Sequence, residues 1–201
     1  MVQQAIKGVI FDMDGTLVTS ELDFAAMREA IGCPAEQDIL DFIATLNCEE
    51  AREQAEQTII DIEVAEAEHC QLIDGVPEML KTLQQWQVPV ALVTRNCRAA
   101  TAIKLAKAEL QFDPVLTREC APAKPDPSAL LQVANSWQIA PEHLLYVGDY
   151  LHDIHAAENA SMRSMLVALQ GTPDWKHNAT WQCNDYTRFL DILSPLVTKS
   201  H

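Results

Sequence analysis

The sequence predicts an α/β fold: a doubly wound parallel sheet with a small α-helical unit inserted after the first strand. Residues 5–12, AIKGVIFD, have the Val, Ile and Phe content of a buried strand and run into the turn-forming DMDGT. From Asp74-Gly75-Val76-Pro77 onward, helical and strand-like stretches alternate, the pattern of a parallel sheet covered by helices. Between these two parts, residues 19–74 read as helix and hold most of the charge.

Taken in order, Ser20 with Asp23 forms a capping-box start for a first inserted helix, and Asn47 with Glu50 forms a second. Ala51, Ala55, Ile59, Ile62 and Ala65 then recur at helical spacing, predicting one apolar stripe on a long acidic helix. A helix over residues 77–86 leads to the strand VPVALVT. Later strands are predicted at 113–117, 144–149 and 164–169, with helices near 98–110, 128–137 and 152–160. Gly171 to Asn184 is expected to be an irregular surface loop. The expected division is a core made of residues 1–18 and 75–201, and an inserted helical domain over 19–74.

A chain of 201 residues with 48% hydrophobic and 21% charged residues suits one ordered globular unit with a modest insertion. Its net charge of −15 is uneven, because residues 19–74 carry 15 acidic side chains against Arg28 and Arg52 alone, or −13. Such a surface repels phosphate backbones and anionic lipid, so neither nucleic acid nor a membrane is an expected partner. No apolar run approaches the roughly 20 residues of a membrane span. MVQQAIKG lacks the apolar core of a signal peptide, and a cytoplasmic location is expected. The six cysteines form no C-x-x-C pair and read as reduced, packed thiols.

In doubly wound sheets, ligands bind beyond the C-terminal ends of the strands. There the sequence puts Asp12 and Asp14 after the first strand, Thr94-Arg95-Asn96 after the second, Lys124 in a Pro-rich loop after the third, and Asp149 with Asp153 after the fourth. Two carboxylates one residue apart, with Gly15 free to turn the chain beneath them, suit a hard cation and leave one acid able to attack phosphorus. Asp149 and Asp153, at i and i+4, share a helix face and add oxygen ligands. Prolines around Lys124 hold its ammonium in one direction, and the TRN turn at a helix start offers Thr94 and backbone amides to an anion.

FDMDGT, VTRN, KPDP and GDYLHD stand in the order and relative spacing of the four signature motifs of haloacid dehalogenase-like hydrolases, and the resemblance spans nearly the whole chain. The insertion after the first motif resembles the small helical cap of the branch that includes phosphoglycolate phosphatases and β-phosphoglucomutases. That resemblance implies a Rossmann-like core and a Mg²⁺-dependent phosphatase that acts on a small phosphorylated metabolite through an aspartyl-phosphate. Asp12 would be nucleophile and metal ligand. Asp14 would be general acid and base, with its backbone carbonyl on the metal. Thr94 and Lys124 would hold phosphoryl oxygens, with Arg95 and Asn96 in the same phosphate turn. Asp149 would bind Mg²⁺, and Asp153 would support it through water.

Asp14 argues against a dehalogenase or phosphonatase, which lack the second acid of the pair. A phosphomutase shares the chemistry and is the first alternative; a phosphate-binding regulatory module is the second, although every chemical position is filled. Arg95 is read as a second anion contact favouring a small acidic phosphomonoester. His152 and His155 need only a polar helix face and are left out of the metal site.

Overall fold

The computed structural model describes residues 5–169, 171, 173–174 and 178–197. Six parallel strands, β1 (Gly8–Phe11), β2 (Val90–Val93), β3 (Val115–Leu116), β4 (Leu144–Gly148), β5 (Arg163–Val167) and β6 (Trp181–Cys183), lie in the order β3-β2-β1-β4-β5-β6. After reaching the β3 edge, the chain returns to the other side of β1. The central strand is therefore flanked by β2 and β4, with Ile10 in register with both Ala91 and Tyr146. The winding reverses at this point, and the loops leaving β1, β2 and β4 open onto one crevice.

Strand alternation divides the core into two layers. Val9 and Phe11 face α4 (Val76–Gln85) and α8 (Tyr186–Leu193), while Ile10 faces α6 (Ser128–Trp137) and α7 (Leu151–Asn159). Gly8 lets α6 approach, since a Cβ there would lie 2.8 Å from the Trp137 ring.

Between β1 and α4 lie α1 (Phe24–Ile31), α2 (Ile39–Thr45) and α3 (Glu49–Ala67), which close their own apolar cluster around Met27, Ile39, Ile43, Ala55 and Ile59. Both predicted capping boxes are displaced. α1 starts at Asp23, whose carboxylate accepts from the Ala25 and Ala26 amides at 3.0 Å, and Ser20 lies upstream. α3 starts after Cys48 with no side-chain cap, while the unanticipated α2 is capped by Asp38. The buried row of α3 is Ala55, Ile59, Glu63 and Ala67; Ala51 and Ala65 are exposed. The row slants because the C-terminal half of α3 packs on α5 (Arg98–Lys107), through Ala67, Ile60 and Val64 against Cys97, Ala100 and Ile103.

Strand β6 lies within the stretch expected to be irregular, part of which (172 and 175–177) lies outside the described residues. With three residues, of which only Cys183 is buried, β6 has too short a pattern to register as a strand. The helix α8 was also unforeseen, although Tyr186, Phe189 and Leu193 follow helical spacing. All six cysteines are free thiols; Cys33, Cys70, Cys97 and Cys183 are buried, and Cys48 is exposed. Among the described residues, no helix is long and apolar enough to cross a membrane.

Candidate active site

The turn after β1 carries the first two acids. Gly15 adopts φ +69°, and its amide donates to the Val18 carbonyl at 2.8 Å, folding the chain back beneath Asp12. The turn is braced from α8 by Tyr186, whose hydroxyl donates to the Thr16 carbonyl. No side chain fits at Gly15: a Cβ would stand 2.1 Å from Asp149 Oδ2. Gly148 is equally constrained, because its Cβ would fall 2.3 Å from the Asp153 carboxyl carbon. Two glycines thus let three carboxylates crowd together.

Asp12, Asp149 and Asp153 each offer an oxygen, and these oxygens lie within 4.8 Å of one another. Lys124 is the cation among them. Its Nζ donates to Asp12 Oδ1 at 2.6 Å, Asp153 Oδ1 at 2.7 Å and the Tyr146 hydroxyl at 2.7 Å. Asp12, Lys124 and Asp153 are all buried. One ammonium against three crowded carboxylates, two of them buried and Asp149 half-buried, leaves a deficit of positive charge. Burial, with repulsion from Asp153 and Asp14, outweighs Lys124 and raises the Asp12 carboxyl to about 7. Burial and the charges of Asp12 and Asp153 raise Asp149 to about 8. An all-oxygen, charge-deficient donor set of this kind fits a hard divalent cation such as Mg²⁺.

A pH dependence follows from these two shifts. Carboxyls raised in the native state bind protons that the unfolded chain releases near pH 4, so stability is lost as pH rises through about 7 to 8. Chelator-treated protein should therefore melt lower at about pH 8.5 than at about pH 6. Added Mg²⁺ should raise Tm more at the higher pH, where it meets deprotonated ligands. A Mg²⁺ shift equal at both pH values, measured by thermal unfolding, would contradict protonation of these carboxyls.

The turn after β2 brings Thr94, Arg95 and Asn96 to the same crevice. Thr94 is buried, and its hydroxyl accepts from the Asn96 amide at 3.1 Å. Asn96 is buried, and its Nδ2 donates to Asp14 Oδ2. Arg95 is already engaged: its Nη2 donates to Asp38 Oδ1 and Oδ2 at 2.8 and 2.6 Å, and its Nη1 to the Lys124 carbonyl at 2.6 Å. Burial would raise Asp38, but Arg95 and the Leu40 and Asp41 amides outweigh it and hold the carboxyl below its usual value. An anion approaching Arg95 must compete with that carboxylate.

Sequence reading missed three groups at the junction with the inserted helices. Asp38 pairs with Arg95. Glu63 accepts from Arg118 Nη1 at 2.5 and 2.7 Å and from the Cys97 amide at 3.0 Å, capping α5. Glu66 pairs with Lys104 at 2.6 Å, and Lys104 also pairs with Asp14. Three of the inserted acids are therefore docking groups rather than solvated surface. The available sequence signal was a charge inside an apolar helical row, Glu63 in α3 and Lys104 in α5. The two halves enclose a chamber of about 800 Å³ above Asp12, lined on the inserted side by Phe24, Met27, Arg28, Asp38 and Ile39. His152 stands on its wall, 4.0 Å from Asp38.

Residues 9–167 match the family model for haloacid dehalogenase-like hydrolase. A haloacid dehalogenase-like hydrolase domain-containing protein of Arabidopsis thaliana is 34% identical over 159 residues, covering 74% of this chain but only 64% of its own length. An N-acetylmuramic acid 6-phosphate phosphatase of Pseudomonas aeruginosa is 31% identical over 83% of this chain and 84% of its own. A phosphoglycolate phosphatase of Vibrio vulnificus is 32% identical over 96% of this chain and 98% of its own. With the four motifs converging where β1, β2 and β4 end, and with the family model covering most of its length, the chain belongs to the haloacid dehalogenase-like hydrolases.

Proposed function

We propose that the protein is a Mg²⁺-dependent phosphatase that hydrolyses a small phosphomonoester through an aspartyl-phosphate on Asp12. The observation that carries this reading is Lys124 held 2.6 Å from Asp12, within a carboxylate cluster that also contains Asp149 and Asp153. Asp12, Asp149 and the Asp14 backbone carbonyl would hold Mg²⁺, with Asp153 supporting it through water. When bound, the ion would neutralise the phosphoryl group and Asp12, which otherwise repel each other. Asp12 attacks phosphorus, the ester P–O bond breaks, and Asp14 gives its proton to the departing oxygen. Water then attacks the aspartyl-phosphate, Asp14 takes the water's proton, and the P–O bond to Asp12 breaks to release phosphate. Lys124 and the Thr94 turn hold phosphoryl oxygens throughout. Residues 19–74 act as the cap over this site.

Relatives named for phosphoglycolate and for a sugar-acid phosphate support a small acidic phosphomonoester as the substrate class. Within the chamber, Arg28 is a further candidate for the acidic group. Its Nε and Nη1 donate to the Gln37 and Phe24 carbonyls, and among the described residues it has no carboxylate partner of the kind that occupies Arg95.

Phosphate release from p-nitrophenyl phosphate should require Mg²⁺, stop in excess chelator and be inhibited by Ca²⁺, whose looser coordination misaligns Asp12 with phosphorus. Full activity in chelator would remove the proposal. Transfer to an added sugar phosphate that outruns hydrolysis would replace it with the mutase.

A further inference from the structure

Lys104 has no place in the four motifs, yet it is fully buried. It projects from α5 where that helix packs on α3, and its ammonium meets two carboxylates: Asp14 in the turn after β1, and Glu66 on α3 at 2.6 Å. Asp14 receives a hydrogen bond on each oxygen, Oδ1 from Lys104 and Oδ2 from Asn96. Glu66 is fixed in turn, its Oε1 accepting from the Glu21 amide at 2.9 Å. The chain Glu66–Lys104–Asp14 therefore links the inserted helices to the residue read above as the acid and base. A buried ammonium placed between two carboxylates has no water to replace either partner, so its position sets theirs.

We propose that Lys104 is a positioning residue for Asp14, anchored from the cap side by Glu66, so that Asp14 is held in its working orientation only while α3 is docked on α5. The proposal rests on the reading of Asp14 as the acid-base group. Lys104 does not line the chamber above Asp12. Its contribution is the orientation of a side chain whose displacement by about 1 Å can cost on the order of 10²-fold in rate.

Lys104→Met should therefore reproduce the defect of removing Asp14, at smaller amplitude. With a dinitrophenyl phosphate, whose leaving group needs little acid, one phenol per active site should appear at a rate within about threefold of the unaltered protein. Later turnovers should be slower by roughly 10 to 10²-fold, giving a burst. With an alkyl phosphate, the first turnover should slow as well. In an Asp14→Asn background, Lys104→Met should add less than about twofold, because the group it positions is gone. Glu66→Gln keeps the ammonium on Asp14 and loosens its anchor, so it should give the same pattern more weakly. It carries the test alone if Lys104→Met shows no cooperative thermal transition.

A folded Lys104→Met that loses rate equally on both esters, that keeps its full rate on both, or that loses as much again in the Asp14→Asn background, overturns the proposal while leaving the phosphatase reading intact. Absence of Mg²⁺-dependent turnover in the unaltered protein would instead overturn both.

Discussion

Asp12→Asn should abolish turnover without unfolding the protein. Loss of a covalent nucleophile costs on the order of 10⁶-fold in kcat where it has been measured. The amide is nearly isosteric with the acid but has no charge with which to attack phosphorus. Its effect on stability runs the other way. Asp12 is one of three crowded carboxylates, and its burial penalty exceeds what Lys124 returns, as the rise to about 7 records. Asn at this position removes one charge, and Asp153 remains to pair with Lys124 at 2.7 Å. The variant should melt at or above the unaltered protein at about pH 8, where the acid is most ionised, and should gain less from Mg²⁺. A variant that is inactive because it is unfolded would show a lower Tm and no cooperative transition. Residual kcat above about 1% in a folded variant would mean that Asp12 is not the nucleophile.

Asp14→Asn should be the next most damaging change, because the general acid and base serves both half-reactions and its loss typically costs about 10² to 10⁴-fold. The two halves are distinguishable. Phosphorylation by an ester with a good leaving group needs the acid little, whereas hydrolysis of the aspartyl-phosphate needs the base whatever the ester was. Rapid mixing with such an ester should therefore release one phenol per active site, followed by slow turnover, and the phosphorylated protein should accumulate in acid-quenched samples. Equal losses for good and poor leaving groups in single-turnover phosphorylation would contradict the acid role. Structurally, the change also frees Lys104, which keeps Glu66 at 2.6 Å but loses one of its two carboxylates. A buried cation left with one partner is less well compensated, so some loss of stability is expected alongside the kinetic defect.

The fold was legible wherever periodicity extended over enough residues. β1, β2, β4 and β5 are short apolar runs, and α4 to α7 fall within a few residues of their expected ends, because each buries a regular face against the sheet. Asp12, Lys124, Asp149 and Asp153 could be placed together because parallel topology brings the C-terminal ends of the strands to one crevice: Asp12 and Asp149 directly follow β1 and β4, Lys124 lies in the loop after β3, and Asp153 lies in the first turn of α7. Local sequence was ambiguous for caps. Ser20 and Asp23 both suit a helix start, and the competition is settled by where α1 packs.

By itself, then, the amino-acid sequence determined the α/β class, the position of the insertion and the acids and lysine at the strand ends, since these depend on local pattern and on a topology that pattern implies. Only the tertiary structure decided which charges meet across the chain. Asp38 reaches Arg95 over 57 residues, Glu63 reaches Arg118 over 55, and Lys104 reaches Asp14 over 90. The acidic excess, read as a surface that repels anions, is in part a set of docking contacts, and Arg95, read as an anion contact, is held by one of them. The reason is physical: an ion pair depends on separation in space and on the dielectric around it, and neither is encoded in the spacing of residues along one helix.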